Sequence, residues 1–343
     1  MHETVNDLPL LGDTTGNQVL LFSPPFSPPS TETPTYPNYT LPPANLTFPD
    51  APGSPPNYTM LIVPTKSSSL SSVPRTACGL LGASASDVTK LNAEASDGLW
   101  LKDQSGWRWQ WLFGGLNPQT NYTAYAIQDQ TKVSGPIQFV TKSASFSCPI
   151  VRSLPFCPST SYAVPITAPP SPNTAHDAST LPNDITEPIL QVLTNFTVSL
   201  TTFPCGRDLY SPIVSCADCQ AAYRKWLCTV WFPRCSEAAP DTATDSQKPV
   251  SALQAQPASA TPRGPSLPPF SSPYNALLPC LETCTAVDRA CPISMGFKCP
   301  VKRFTANASY GVGFIDSGEE GEEGGGSTGT AQDRWGNVWC NMG

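Results

Sequence analysis

Histidine and charge are the scarcest resources of this chain: 343 residues contain 2 His, His2 and His176, and only 13% charged side chains, against about 25% in ordinary domains. That scarcity removes most His-dependent catalysis and any His-rich metal site. Basic blocks are missing too. The 19 Lys and Arg are scattered among 26 Asp and Glu, for a net charge of −7, and phosphate binding needs clustered cations, which excludes nucleic acid as a partner. No window approaches the ~18 apolar residues of a membrane-spanning helix. The opening MHETVNDLPLLGDTTGNQ has neither the basic start nor the apolar stretch of a signal peptide. No nucleophile elbow, activated Ser or Cys, or carboxylate pair can be placed on a rigid element. The expectation is a non-enzyme with no catalytic or metal residues, no cofactor and no small-molecule substrate.

What the chain does have is 40 Pro, 23 Gly and 13 Cys. It also has Asn-x-Ser/Thr sequons at Asn38, Asn45, Asn57, Asn121, Asn195 and Asn307, none with Pro in the middle. Dense, helix-spaced Cys beside such sequons points to the secretory pathway, because disulfides persist only where the surroundings oxidise. A leader preceding Met1 is therefore expected, and the odd Cys count fits either a partner lost upstream or one free thiol.

Three regions are expected, in an α+β multidomain fold. Residues 1–56 are dominated by Pro, Ser and Thr and read as a disordered, glycosylated segment. Residues 57–150 read as a β-sandwich. Its candidate strands are NYTMLIVP, GLWLKD, WRWQWLFGGL, NYTAYAIQD and GPIQFVTK. Trp107, Trp109 and Trp111 alternate onto one strand face. Leu116-Asn117-Pro118-Gln119-Thr120-Asn121-Tyr122 looks like the tyrosine corner of fibronectin type III-like sandwiches, with an ordinary loop as the competing reading. Cys78 and Cys148 flank the region and could close it. After a Pro-rich loop at 147–185, residues 155–343 read as a cysteine-rich, mostly helical domain with a disordered insertion at 236–275.

In that domain Ile189, Val192, Leu193, Phe196 and Leu200 keep a helical period, with Pro188 suited to a first turn and Asn195 on the wet side. Ser215 and Asp218 form a capping-box-like start to a helix whose expected buried stripe is Ala222, Trp226 and Val230. Cys280, Cys284, Val287 and Cys291 share a face of a further helix. Three Cys on one stripe are placed for cross-linking to neighbouring helices. A four-thiolate zinc site at Cys216, Cys219, Cys228 and Cys235 is disfavoured, because Cys219 and Cys228 point to opposite sides of one helix. Cys216-Ala217-Asp218-Cys219 lacks the βαβ setting of a redox pair. Gly324, Gly326 and Gly329 match the dinucleotide fingerprint literally but follow a Glu run, which would repel a pyrophosphate. The Glu319, Glu320, Glu322 and Glu323 cluster, in flexible Gly-rich chain, offers calcium no preformed cage. Disulfide bonding is expected for Cys78, Cys148, Cys157, Cys205, Cys216, Cys219, Cys228, Cys235, Cys280, Cys284, Cys291, Cys299 and Cys340, with the unpaired one and the connectivity left open. Trp226, Trp231, Phe232, Trp335 and Trp339 are candidate docking aromatics, core packing being the competing reading.

FPCGRDLYSPIVSCADCQAAYRKWLCTVWFPRC, LPCLETCTAVDRACPISMGFKCP, YGVGFIDSG and AQDRWGNVWCN resemble the fungal stretch-activated calcium channel component, the mating-induced-death regulatory subunit of the yeast high-affinity calcium channel. The resemblance is close over about 155–343 and weaker over 57–150. It implies an N-glycosylated auxiliary subunit at the plasma membrane and endoplasmic reticulum, partnering a voltage-gated-like, pore-forming calcium channel alpha subunit in stretch- or stress-activated calcium influx. Membrane association would come through that partner. It also implies a Frizzled-like cysteine-rich domain, similar to the auxiliary factor of the animal sodium-leak channel and docked outside the pore. The family's essential cysteines fall on Cys205, Cys216, Cys219, Cys228, Cys235, Cys280, Cys284, Cys291, Cys299 and Cys340. The alternative is a secreted Frizzled-type module capturing a lipid or peptide.

Overall fold

The computed structural model describes residues 8–29, 36–66, 74–83, 96–237, 252–264, 266–301, 304–312 and 340–343. The chain is mixed α/β and divides into two compact units, the first holding 8–29 and 49–150, the second 36–48 and 151 onward.

The first unit holds strands β1 (Leu10–Thr14), β2 (Val19–Phe22), β3 (Tyr58–Pro64), β4 (Ser96–Asp103), β5 (Gly106–Phe113), β6 (Asn121–Gln128) and β7 (Lys132–Val140), with a short helix α1 (Ala77–Ala83). The strands make two antiparallel sheets, ordered β1-β2-β5-β4 and β3-β6-β7. Val19 and Leu21 of β2, Trp111 and Phe113 of β5, Ile62 of β3, Tyr122 and Ala124 of β6 and Phe139 of β7 share one core cluster. These are alternate residues, as a face-to-face sandwich requires. In chain order the sheets are A-B-E-D over C-F-G, a seven-stranded Greek-key arrangement. Tyr122, 4% exposed, accepts a hydrogen bond from the Asn117 backbone N–H at 3.0 Å. Its ring stacks on Phe139, so the corner between β5 and β6 is pinned from inside.

Two expectations for this region need correction. Residues 10–22 are a hairpin, not disordered chain: Leu10-Leu11 and Val19–Phe22 flank a turn in which the Thr15 N–H donates to Gln18 O at 2.9 Å. The Pro-rich average of residues 1–56 masked two short apolar runs, and both are stabilised by sheet partners distant in sequence. Cys78 is a free, exposed thiol and closes nothing. On α1 it is Ala77, Leu80 and Leu81 that pack against Leu61, Val63, Tyr125 and Ile127, and that helical spacing leaves Cys78 facing outward.

The second unit is built on helices α2 (Asn183–Leu200), α3 (Cys216–Trp231), α4 (Leu281–Ala290) and α5 (Ala306–Ser309), with a small sheet of β8 (Arg234–Ser236), β9 (Leu253–Gln256) and β10 (Tyr274–Leu277), β10 central. Pro188 lies inside α2, which begins a turn earlier than its position suggested. The Pro-rich 147–185 stretch is no loose loop: Leu154, Phe156, Tyr162, Val164 and Ile166 form part of the core under α2 and α3. The Cys157–Cys228 bridge and the Tyr162 hydroxyl, which donates to Phe232 O at 2.9 Å, hold it there. The 236–275 insertion contributes β9 and the start of β10 and buries Leu267 and Phe270, while 238–251 lies outside the described residues. Short polar strands such as Leu253–Gln256 carry little signal alone, since their stability comes from pairing with β10.

Candidate docking site

The disulfides set the frame. Cys219–Cys291 joins α3 to the end of α4, Cys205–Cys216 ties the preceding loop to the start of α3, Cys284–Cys299 fastens the chain after α4, and Cys280–Cys340 holds the C-terminal residues. Cys148 and Cys235 are oxidised as well. On α3, Cys219 and Cys228 serve different partners, Cys291 and Cys157, as their opposite helix sides dictate. The sulfurs of Cys280 and Cys340 lie near Glu282 in a group with ligand-like spacing. They are bonded to each other, so they supply no thiolate for a metal.

Ser215 starts α3 with a complete capping box: its hydroxyl accepts from the Asp218 N–H, and the Asp218 carboxylate accepts from the Ser215 N–H at 2.8 Å. The loop before it is anchored by Tyr210. The phenol lies 2.7 Å from Ser215 O and 2.6 Å from Ala290 O and donates to this carbonyl pair, joining the loop to the end of α4. Burial, and then the charge of Asp218, push the Tyr210 pKa up to about 12. A phenol held neutral this way contributes stability that is complete below its ordinary value near 10 and is lost as pH rises through about 12. Tyr210→Phe should therefore flatten the fall in unfolding midpoint between pH 10 and 12 and cost about 1 kcal/mol at neutral pH. Denaturant titrations at several pH values check both.

Between the loop and the end of α4 lies a recess of about 250 Å3, lined by Phe203, Tyr210, Val214, Arg289, Cys291, Pro292 and Ile293 among others. The same segments expose large aliphatic side chains: Leu209 at 79%, Ile213 at 87% and Ile293 at 95%. Arg289 is exposed. Its Nε donates to Thr285 O at 3.2 Å, and among the described residues no acid forms an ion pair with it.

Of the candidate docking aromatics, Trp231 and Phe232 are buried core, at 7% and 0% exposure. Trp226 is half-buried in a ladder: Phe196 stacks on Tyr223 at 3.6 Å between centroids, Tyr223 tilts onto Trp226, and Trp226 meets Phe297 edge-on at 4.9 Å. The Trp226 Nε1–H donates to the Tyr310 hydroxyl at 2.9 Å. Trp335, Trp339, the Glu cluster at 319–323 and the Gly324–Gly329 stretch lie outside the described residues. The expected α3 stripe of Ala222, Trp226 and Val230 is only half-buried, and the deeper face carries Gln220, Arg224, Leu227, Cys228 and Trp231. Asn38, Asn45, Asn57, Asn121 and Asn195 are all exposed; the Asn307 side chain lies outside the described set.

Sequence reasoning missed Arg224 and the exposed Leu209, Ile213 and Ile293. A signal existed for two of them, since Pro212-Ile213 and Pro292-Ile293 each place an apolar residue directly after Pro within three residues of a cysteine.

The second unit is thus a disulfide-linked helical body with a small recess at the end of α4, and the first is strand-rich. The chain belongs to the Mid1 family, the stretch-activated Ca2+-permeable channel components, whose family model matches residues 1–324. It is 39% identical to the stretch-activated cation channel MID1 of Cryptococcus neoformans var. grubii over 97% of this chain and 59% of that protein. It is 28% identical to the stretch-activated cation channel yam8 of Schizosaccharomyces pombe over 59% of this chain and 40% of that protein. It is 30% identical to the stretch-activated cation channel MID1 of Saccharomyces cerevisiae over 57% of this chain and 36% of that protein. The chain thus spans about three fifths or less of the length of these relatives, which are named as channels rather than enzymes. No solved structure matches it, and among the described residues no helix is long and apolar enough to cross a membrane.

Proposed function

We propose that this chain is a non-enzymatic auxiliary subunit of a plasma-membrane calcium channel. In this reading it docks on the extracellular face of a voltage-gated-like pore subunit and promotes stretch- or stress-activated calcium influx. It reaches the surface through the endoplasmic reticulum, glycosylated at the exposed sequons, and gains its membrane residence from the partner. The observation that carries the reading is the exposure of Ile213 and Ile293 on disulfide-tied segments in a member of a channel-component family. Such a subunit acts by contacting one state of its pore more favourably than another. The seven-strand order and the Tyr122 corner support a fibronectin- or immunoglobulin-like first unit, and the cross-linked helices support a Frizzled-like second one. Deleting the gene should abolish most stimulated calcium-45 uptake, and the tagged glycoprotein should co-purify with a large pore subunit. Normal uptake in the deletion strain would overturn the reading.

A further inference from the structure

We propose that the recess between the Phe203–Val214 loop and the end of α4 is an anchor site for a partner-protein segment that presents a bulky apolar side chain beside a carboxylate. This rests on the docking reading above and specifies its chemistry.

Size narrows the occupant first. About 250 Å3 falls below the ~300–1,000 Å3 of sites that enclose whole small ligands, a size suited to one bulky side chain. The walls decide its character. Phe203, Val214, Pro292, Ile293 and the Tyr210 ring supply the apolar part of the wall, with Ser211 and Ser294 adding polar positions, and the Cys205–Cys216 and Cys219–Cys291 bridges hold the two segments that carry them. A site already rigid loses little entropy when filled, which is how a few anchors come to dominate an interface. Ile293, a lining residue that is otherwise left in water, offers apolar contact to such an anchor, and the same loop exposes Leu209 and Ile213.

Charge supplies the second half. Arg289 lines the recess, and its guanidinium has Nε spent on the Thr285 carbonyl. That bond orients the fork and leaves its outer N–H groups for an anion in the bidentate geometry carboxylates prefer, and a cation there would be repelled. A bilayer is the poorer fit. The nearby Arg207 is paired with Asp208 at 2.6 Å, and the chain carries a net charge of −7, whereas anionic lipid attracts clusters of unpaired Lys and Arg.

The test has two arms on the full glycosylated chain. In the first, isoleucine-methyl NMR follows Ile213 and Ile293 during titration with acetyl-Asp-Trp-Asp-amide, its Asn-Trp-Asn counterpart and its Asp-Ala-Asp counterpart. The first peptide should bind about tenfold tighter than either control, and Arg289→Ala should erase the Asp-over-Asn preference. Equal binding of the three, or shifts with phosphatidylserine vesicles and none with the peptides, overturns the proposal, the latter in favour of a lipid surface. In the second arm, Arg289→Glu and Ile293→Asp alter exposed side chains. Non-reducing peptide maps should therefore be unchanged while stimulated calcium-45 uptake falls about fivefold or more, and Arg289→Lys, which keeps the charge but not the planar fork, should retain only part of it. If deletion of the gene abolishes uptake yet both variants sustain it, the docking reading survives and the recess is not its anchor. If deletion leaves uptake normal, the docking reading falls and the site stands on the peptide preference alone.

Discussion

Replacing Cys219 and Cys291 together by Ala should destabilise the helical unit by about 4 kcal/mol, while Cys205 and Cys216 replaced together should cost about 3. Those values follow from loop-closure entropy for sequence separations of 72 and 11. They are upper values, because bridges such as Cys157–Cys228 and Cys284–Cys299 still restrict the unfolded chain. Against a domain stability of about 5–15 kcal/mol, losing the longer bridge removes a large share. The functional consequence is local as well, since Cys291 lines the recess: freeing α4 from α3 should reduce calcium uptake even at a temperature where the variant is still folded. Denaturant unfolding of the purified chain, with uptake measured in parallel, checks both parts. A loss below about 1 kcal/mol would show that packing alone holds α3 to α4.

Arg224→Ala should be comparably severe, at about 3 kcal/mol or more. Its guanidinium is 6% exposed and carries no carboxylate partner among its hydrogen bonds; it donates instead to backbone carbonyls, Pro43 O at 2.7 Å, Phe156 O at 3.0 Å and Ala44 O. Burial pulls its pKa down to about 10, which leaves it charged at neutral pH. Gln220 extends the grip, its Nε2 donating to Pro42 O and Thr197 Oγ1 at 2.7 Å each. Together they hold a proline-containing segment on α3. Gly206, at φ +81°, closes the other end, where a Cβ would overlap the Tyr39 ring. Truncation would strand the buried Ala44 and Phe156 carbonyls, each costing about 1–3 kcal/mol without a donor. Arg224→Lys should recover only part, because an ammonium lacks the planar fork. The denaturant midpoint and the rate of protease cleavage within residues 36–48 measure the effect, and an unchanged midpoint with slow cleavage would refute it.

Arg224 also shows where sequence legibility ends. At position 224 an Arg between Tyr and Lys reads as the solvated face of an amphipathic helix, and only the return of residues 42–44 onto α3 makes it interior. The same holds for the hairpin at 10–22, whose Leu and Val pairs sit in Pro-rich company, and for Leu253–Gln256, too polar to be recognised without β10 beside it. By contrast β3 to β7, the Tyr122 corner, the Ser215–Asp218 cap and the shared face of Cys284 and Val287 could all be read in advance. Each is set by spacing of two to four residues along one segment.

The amino-acid order by itself determined the family, the separation into a strand-rich and a helix-rich half, and the sides of α3 and α4 from which the sulfurs project. Those follow from short-range periodicity and long Cys-anchored strings. The three-dimensional packing alone decided which thiols meet, that Cys78 remains unpaired, and that Trp231 is interior while Ile293 is not. Burial and bonding of that kind depend on segments that approach from up to 181 residues away, as Arg224 and Pro43 do, and no local pattern records them.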